Sequence, residues 1–202
     1  MIFRHRIARR STIALVSVAA CAGFASRARA TDYPVFASQL TMRSRDGRGA
    51  LRLVLPRPFA PLPTPGGADD PSISGMTLTL VSRGGGGTAT FTAPAGSGKN
   101  SWKVRTSPTA TYTFHDGGAG AGDIQSFAWR GARGGLRLST RDAGLSLDGA
   151  QGPVAVRIEF GSTRVCALFG GVERETAGFF TARGGSAVAL ADCDDATLAG
   201  TP

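Results

Sequence analysis

Few of the groups that carry chemistry are present in this sequence. Of 202 residues only 3 are Cys and 2 are His, and Glu occurs only as Glu159, Glu173 and Glu175. A zinc site normally brings closely spaced cysteines with histidine nearby, and past residue 30 the one histidine is His115. Helical periodicity is missing as well, and 29 Gly with 11 Pro argue against bundles and coiled coils. No apolar run approaches the ~20 residues a bilayer-spanning helix requires, and no internal repeat is visible. The length suffices for one sizeable domain and is short for two.

Acid is missing from the first 30 residues, which hold Arg4, Arg6, Arg9, Arg10, Arg27 and Arg29 and so inflate the formal net charge of +9. From Thr31 onward 17 basic residues meet 14 acidic ones, leaving +3. That near-balance argues against a nucleic-acid partner, which needs enough basic charge to displace counterions from phosphates. It also predicts only weak attraction to anionic lipid. Lysine is nearly absent, with Lys99 and Lys103 alone, and the Arg-rich composition reads as that of a high-GC genome.

What is present at the start is an export leader over residues 1–30: a basic stretch through Arg10, an apolar stretch over 13–25, and Ala28-Arg29-Ala30 as a small-x-small cleavage site before Thr31. A second reading takes Val18-Ala19-Ala20-Cys21 as a lipobox, with Cys21 acylated as the mature N-terminus. Arg9-Arg10 is an incomplete twin-arginine signal, because Thr12 stands where a bulky apolar residue belongs. The expected products are a secreted or periplasmic chain beginning at Thr31, or alternatively a lipoprotein anchored through Cys21. Removing the leader leaves Cys166 and Cys193, an even pair that outside the cytoplasm is most simply a disulfide.

Apolar and polar residues alternate along the rest of the chain. Leu40 and Met42 alternate with Thr41 and Arg43, and Leu51, Leu53 and Leu55 with Arg52 and Val54, as a hairpin around 46–49. Residues 56–71 carry six prolines and read as a connection running over the surface. A second hairpin joins 76–80 to 88–92 through the tetraglycine at 84–87. Further strands fall at 111–114, 124–129, 136–138, 154–160, 164–169 and 179–182, with a stub at Leu145 and Leu147. The 164–169 segment is apolar on both faces, as a central strand would be. About 8–10 short strands on this spacing indicate an all-β antiparallel β-sandwich, jelly-roll or immunoglobulin-like, with a partly open barrel as the alternative. It fills 31–195 as one domain, with 196–202 a short tail.

Asp69-Asp70-Pro71, the 75–81 strand, Trp102, Tyr112-Thr113-Phe114-His115-Asp116, the Gln151-Gly152-Pro153-Val154-Ala155-Val156-Arg157 strand and Cys166-Ala167-Leu168-Phe169-Gly170-Gly171 form a pattern. It resembles a β-rich domain of predicted secreted proteins from high-GC Gram-negative bacteria, over most of 35–195. The resemblance implies fold and location; it implies no activity, cofactor or site residue.

No constellation assembles into a catalytic set. Ala95-Gly96-Ser97-Gly98-Lys99-Asn100 departs from a phosphate-binding loop, with Ala93 in place of the first Gly and Asn100 in place of the magnesium-binding hydroxyl. His115-Asp116 would suit a hydrolase in which a carboxylate orients an imidazole, but adjacent strand residues point to opposite faces, and no Ser lies in a G-x-S-x-G elbow. Two facing carboxylates would suit a glycosidase, a convergence that sequence does not reveal. Asp69-Asp70 and Asp192, Asp194 and Asp195 offer oxygens of the kind calcium takes, without EF-hand spacing, and read as solvated turn and tail charge. Trp102, Tyr112, Phe114, Phe127 and Trp129 invite a sugar-stacking platform but share strand faces as core residues do. The expectation is an exported non-catalytic module, structural or binding, with no metal and no cofactor. Its partner would be an envelope or extracellular protein or a glycan. The alternative is a secreted hydrolase using His115 and nearby carboxylates.

Overall fold

A strand that alternates apolar and polar side chains buries one face and hydrates the other. In the computed structural model, which describes residues 30–36, 39–45, 48–55, 60–96, 101–106, 109–118, 123–131, 135–142, 144–184 and 190–200, that rule builds two packed sheets. Residues 1–29 of the leader, Cys21 among them, and the loop at 97–100 lie outside the described residues. One sheet has five strands, in the order β1 (Thr31–Pro34), β11 (Thr163–Phe169), β10 (Val154–Phe160), β4 (Met76–Ser82) and β5 (Thr88–Ala93). The other has eight, in the order β12 (Gly171–Thr176), β13 (Phe179–Arg183), β2 (Gln39–Arg45), β3 (Arg48–Leu55), β9 (Leu136–Thr140), β8 (Ile124–Arg130), β7 (Thr111–His115) and β6 (Trp102–Arg105). The sheets face each other as a sandwich and do not close into a barrel. Among the described residues, every pairing of one strand with another is antiparallel except that of β1, which lies parallel to β11 with Thr31 opposite Thr163; an isolated parallel bridge also joins Thr92 to Asp123.

Both predicted hairpins form, with Leu40 opposite Leu53 and Leu78 opposite Phe91. The inward residues of the two sheets, among them Leu40, Met42, Leu53, Leu78, Leu80, Val156, Ile158 and Phe169, are at most 1% exposed. Trp129 from the large sheet meets Phe160 from the small one edge-on, with ring centroids 5.2 Å apart. The aromatic residues that sequence leaves open to sugar stacking are all core: Trp102, Tyr112, Phe114, Phe127 and Trp129 are at most 3% exposed.

The count of strands is higher than the sequence suggests, because β1, β6 and β12 lack a run of apolar alternation. β12 is an edge strand whose Glu173, Arg174 and Glu175 are exposed, a charged border of the kind that discourages pairing with other chains. Leu145 and Leu147 are buried but belong to an irregular segment, not a strand. The proline-rich connection also differs from its surface reading: within its described part Pro63 and Asp70 are buried. Asp70 stands at the N-terminus of α1 (Pro71–Ser74), where its carboxylate accepts from the backbone N–H of Ser72 at 2.8 Å and of Gly66 at 2.7 Å.

Strand β11 is apolar on both faces, yet it lies next to the edge of its sheet, covered outside by a different element. The segment 190–200, including α2 (Asp195–Ala199), crosses the outer face of the small sheet. Ala155, Cys166, Leu190, Cys193 and Leu198 form a second buried cluster there, with Val81 and Leu168 packed against it. Cys166 and Cys193 are joined by a disulfide, their Cα atoms 5.6 Å apart.

Chain-entropy reasoning gives a bridge of this span about 3–4 kcal/mol. Replacing both Cys166 and Cys193 by Ser should lower the urea-unfolding free energy by that order and expose the C-terminal segment to protease. Thiol titration of a denatured, unreduced chain beginning at Thr31 should find no free thiol.

Candidate functional site

Carboxylates that sequence offers as metal ligands are committed to cations and backbone amides. Asp32 on β1 takes a two-pronged contact from Arg164, Nε to Oδ1 at 2.6 Å and Nη2 to Oδ2 at 2.7 Å, and accepts from the Cys193 backbone N–H at 3.1 Å. The same guanidinium reaches Asp194 at 2.8 Å. Arg157 donates to Asp195 at 2.6 Å and to the Cys193 carbonyl at 3.1 Å. Arg83 donates to the carbonyls of Leu198 and Thr197 at the C-terminal end of α2, where a cation is favoured. Three arginines thus clamp the segment that the disulfide ties. The Arg164 hydrogen bonds hold the Asp32 carboxyl below its ordinary range, partly opposed by burial. Among the described residues, no group of three or more His, Cys, Asp or Glu is placed to hold a metal ion.

A cleft of about 320 Å³ opens between β1 and the proline-rich connection, lined by Tyr33, Leu62, Pro63, Asp69 and Thr163 among others. Asp69, its one carboxylate, accepts from the backbone N–H of Ser162 at 2.5 Å and from its hydroxyl at 3.0 Å, tying the β10–β11 turn to the connection. That turn depends on Gly161: its φ is +57°, and a Cβ there would lie 2.3 Å from Asp69 Oδ1. Behind the wall, the buried Tyr112 hydroxyl donates to the Pro63 carbonyl at 2.9 Å. Burial, assisted by the negative charge of Asp70, pushes the Tyr112 hydroxyl up to about 12.

His115 lies elsewhere. It is exposed at the end of β7, on the outward face of the large sheet, directly opposite Ser126. Ser126 Oγ instead pairs with Ser139 Oγ at 2.6 Å, and Asp116 uses Oδ1 to accept from the Gly118 backbone N–H at 2.8 Å. The structure therefore brings His115 beside a hydroxyl row on an open face, and the adjacent carboxylate serves a turn.

That face holds what addition of charges hides. The strands of the large sheet contain 47 of the 172 residues from Thr31 onward, yet ten of the 17 basic residues and two of the 14 acidic ones, a net of +8. Inward positions are apolar, so the cations point out: Arg43, Arg45, Arg52, Lys103, Arg105, Arg130, Arg137, Arg174 and Arg183 are all exposed. Register aligns them in rows across the sheet. One row runs Arg174, Thr181, Thr41, Arg52, Ser139, Ser126, His115. The next runs Arg183, Gln39, Val54, Arg137, Ala128, Thr113, Lys103. In the first row, hydroxyls join in pairs on either side of Arg52, Thr41 with Thr181 at 3.4 Å and Ser126 with Ser139. Arg43 and Arg174 both stack on Phe179, each 5.4 Å from its centroid. The charge sum from the sequence misses this face; assigning each basic residue to a strand and asking which sheet it joins is the signal that finds it.

No protein-family model matches the chain, and neither a curated protein nor a solved structure matches it.

Two outcomes follow from the anchors. The stability that Asp32 contributes is present above its ordinary value of about 3.9 and is lost as pH falls through the lower value of the folded protein. Asp32→Asn should therefore destabilise the protein at about pH 6, and the gap to the unsubstituted chain in urea unfolding should narrow in acid. Tyr112→Phe should cost about 1 kcal/mol. Because its value is raised, the hydroxyl contribution is intact below about pH 10 and disappears as pH rises through about 12, so the Tyr112→Phe gap should close in alkali.

Proposed function

We propose that this protein is an exported, non-catalytic β-sandwich module acting through its surface as a structural or binding component of the envelope or extracellular space. The observation that carries the reading is the outward face of the large sheet, where nine exposed Arg and Lys side chains stand on strands whose net charge is +8. The Cys166–Cys193 disulfide supports an oxidising compartment, in agreement with the leader pattern that ends at Ala30. Among the described residues no helix is long and apolar enough to cross a membrane. The hydrolase alternative needs His115 next to a carboxylate in a cleft; the cleft near Asp69 has neither His115 nor a free carboxylate in its lining.

Processing tests the location. Intact-mass measurement of the protein recovered from outside the cytoplasm should give a chain beginning at Thr31 with two hydrogens fewer than the reduced form. A lipid-sized increment on a chain beginning at Cys21 moves the same module onto a membrane anchor. An uncleaved, fully reduced chain in the cytoplasm overturns the reading.

A further inference from the structure

We infer that the outward face of the eight-stranded sheet docks on an anionic phospholipid surface; this rests on the surface-module reading above and names its partner. A net charge of +3 from Thr31 onward would attract such a surface weakly, but association responds to the charge on the face presented, and the strands of this one sheet carry +8 between them, with nine of their cations exposed. Seven of the eight strands carry at least one basic residue and the eighth, β7, ends in His115. At a strand spacing of ~4.8 Å the cations spread over about 34 Å. A linear polyanion is served by a stripe or groove of charge, whereas a two-dimensional array matches a plane of headgroups.

The chemistry of the rows suits phosphate in particular. Arginine presents a planar fork that pairs with two phosphate oxygens, and Arg52 sits between Thr41 and Ser139, whose hydroxyls supply further donors beside it. Base or sugar stacking would need an open aromatic face. On this surface Phe179 is flanked by two guanidiniums, and the other aromatics of the sheet's strands point into the core. Of the exposed large apolar residues, Phe36 and Ile73 lie outside the sheet, and Val172, on its edge strand β12, stands opposite the buried Ala182 and so off the outward face; attachment is electrostatic and superficial and weakens as salt screens it.

Co-sedimentation of the chain beginning at Thr31 with vesicles of equal parts phosphatidylglycerol and phosphatidylcholine tests this. Binding is expected at low salt, is absent on pure phosphatidylcholine, and falls as salt rises. Each cation near an anionic leaflet is worth about fivefold in partitioning, so Arg52→Gln with Arg137→Gln should weaken binding by about 25-fold. Thr88→Glu with Thr90→Glu, on the exposed outer side of the small sheet, changes the net charge by the same amount and should leave binding close to that of the parent. Circular dichroism checks that both variants are folded. Equal losses in the two variants, or equal binding to neutral vesicles, overturn the inference. Retention on immobilised alginate through Arg52 and Arg137, without vesicle binding, overturns the lipid assignment while leaving the surface-module reading in place. If neither vesicle nor polysaccharide is bound and an ester or glycoside panel reveals hydrolysis that His115→Ala abolishes, both readings fall.

Discussion

Strand β11 has no face to give to water, and much of the structure follows from covering it twice. Val165, Ala167 and Phe169 point into the sandwich, while Cys166 and Leu168 point out of it. The large sheet covers the first set. The second set requires another layer, which a sheet of five strands cannot provide for itself, and the chain supplies it from 190–200. A segment this short has little area with which to hold its place against the entropy of a free terminus. It is retained by a covalent bond at its centre, by Arg157 and Arg164 over its acidic residues, and by Arg83 at the end of α2. Arg157 and Arg164 are themselves mostly buried, and each is met by acceptors on two or more sides, the condition under which a buried guanidinium is tolerated.

The same constraint separates the charges. Asp32, Asp194 and Asp195 are drawn to the small sheet because its buried guanidiniums need partners, and Asp69 and Asp70 are fixed at the connection and the α1 cap. Acid used in this way is unavailable to the large sheet, whose strands keep only Glu173 and Glu175, both on the β12 edge. Glu173 pairs with Arg183 at 3.1 Å, and Glu175 turns to the Gln151 backbone N–H. The interior of the basic face, around Arg52 and Arg137, has no carboxylate among its registered neighbours. A near-balanced charge from Thr31 onward and a polarised surface are thus two results of one folding solution.

Alternation makes most of the sandwich legible in the sequence, since β2, β3, β4, β5 and β10 each carry enough apolar positions to set their own phase, and β11 is legible instead by being apolar on both faces. What escaped has a common cause: its identity is decided by a partner distant in sequence. β1 is a strand because β11 offers an open edge 132 positions away, as the Asp32–Arg164 contact illustrates. β12 has only Val172 as a large apolar residue, and no local pattern separates it from a loop. Gln151 looks like a loop residue, yet it is 1% exposed, and its side chain fills space beside Gly86, where a Cβ would meet its Oε1 at 1.9 Å. The tetraglycine, legible as a turn, therefore also makes room for a buried amide. Of the site, the disulfide is legible from the even cysteine pair that remains past the leader, and the solvent-facing His115 from its place at a strand end, whereas the basic face requires the strand order.

Composition accounts for one part of that face and not for the other. A bias toward arginine codons explains why its cations are Arg with a single Lys103, and it would act on every segment alike. It does not explain why strands holding 47 of 172 residues take ten of 17 basic positions and two of 14 acidic ones. Nor does protection from aggregation require it, because edges are where unpaired strands are dangerous, and Arg52 and Arg137 are on central strands. Like charges across a sheet repel, at a cost to folding that mixed signs would avoid. A protein of near-balanced charge that nevertheless accumulates repulsion on one ordered surface carries a stability cost that placement of its own carboxylates would relieve, and an external anionic surface relieves it in the same way.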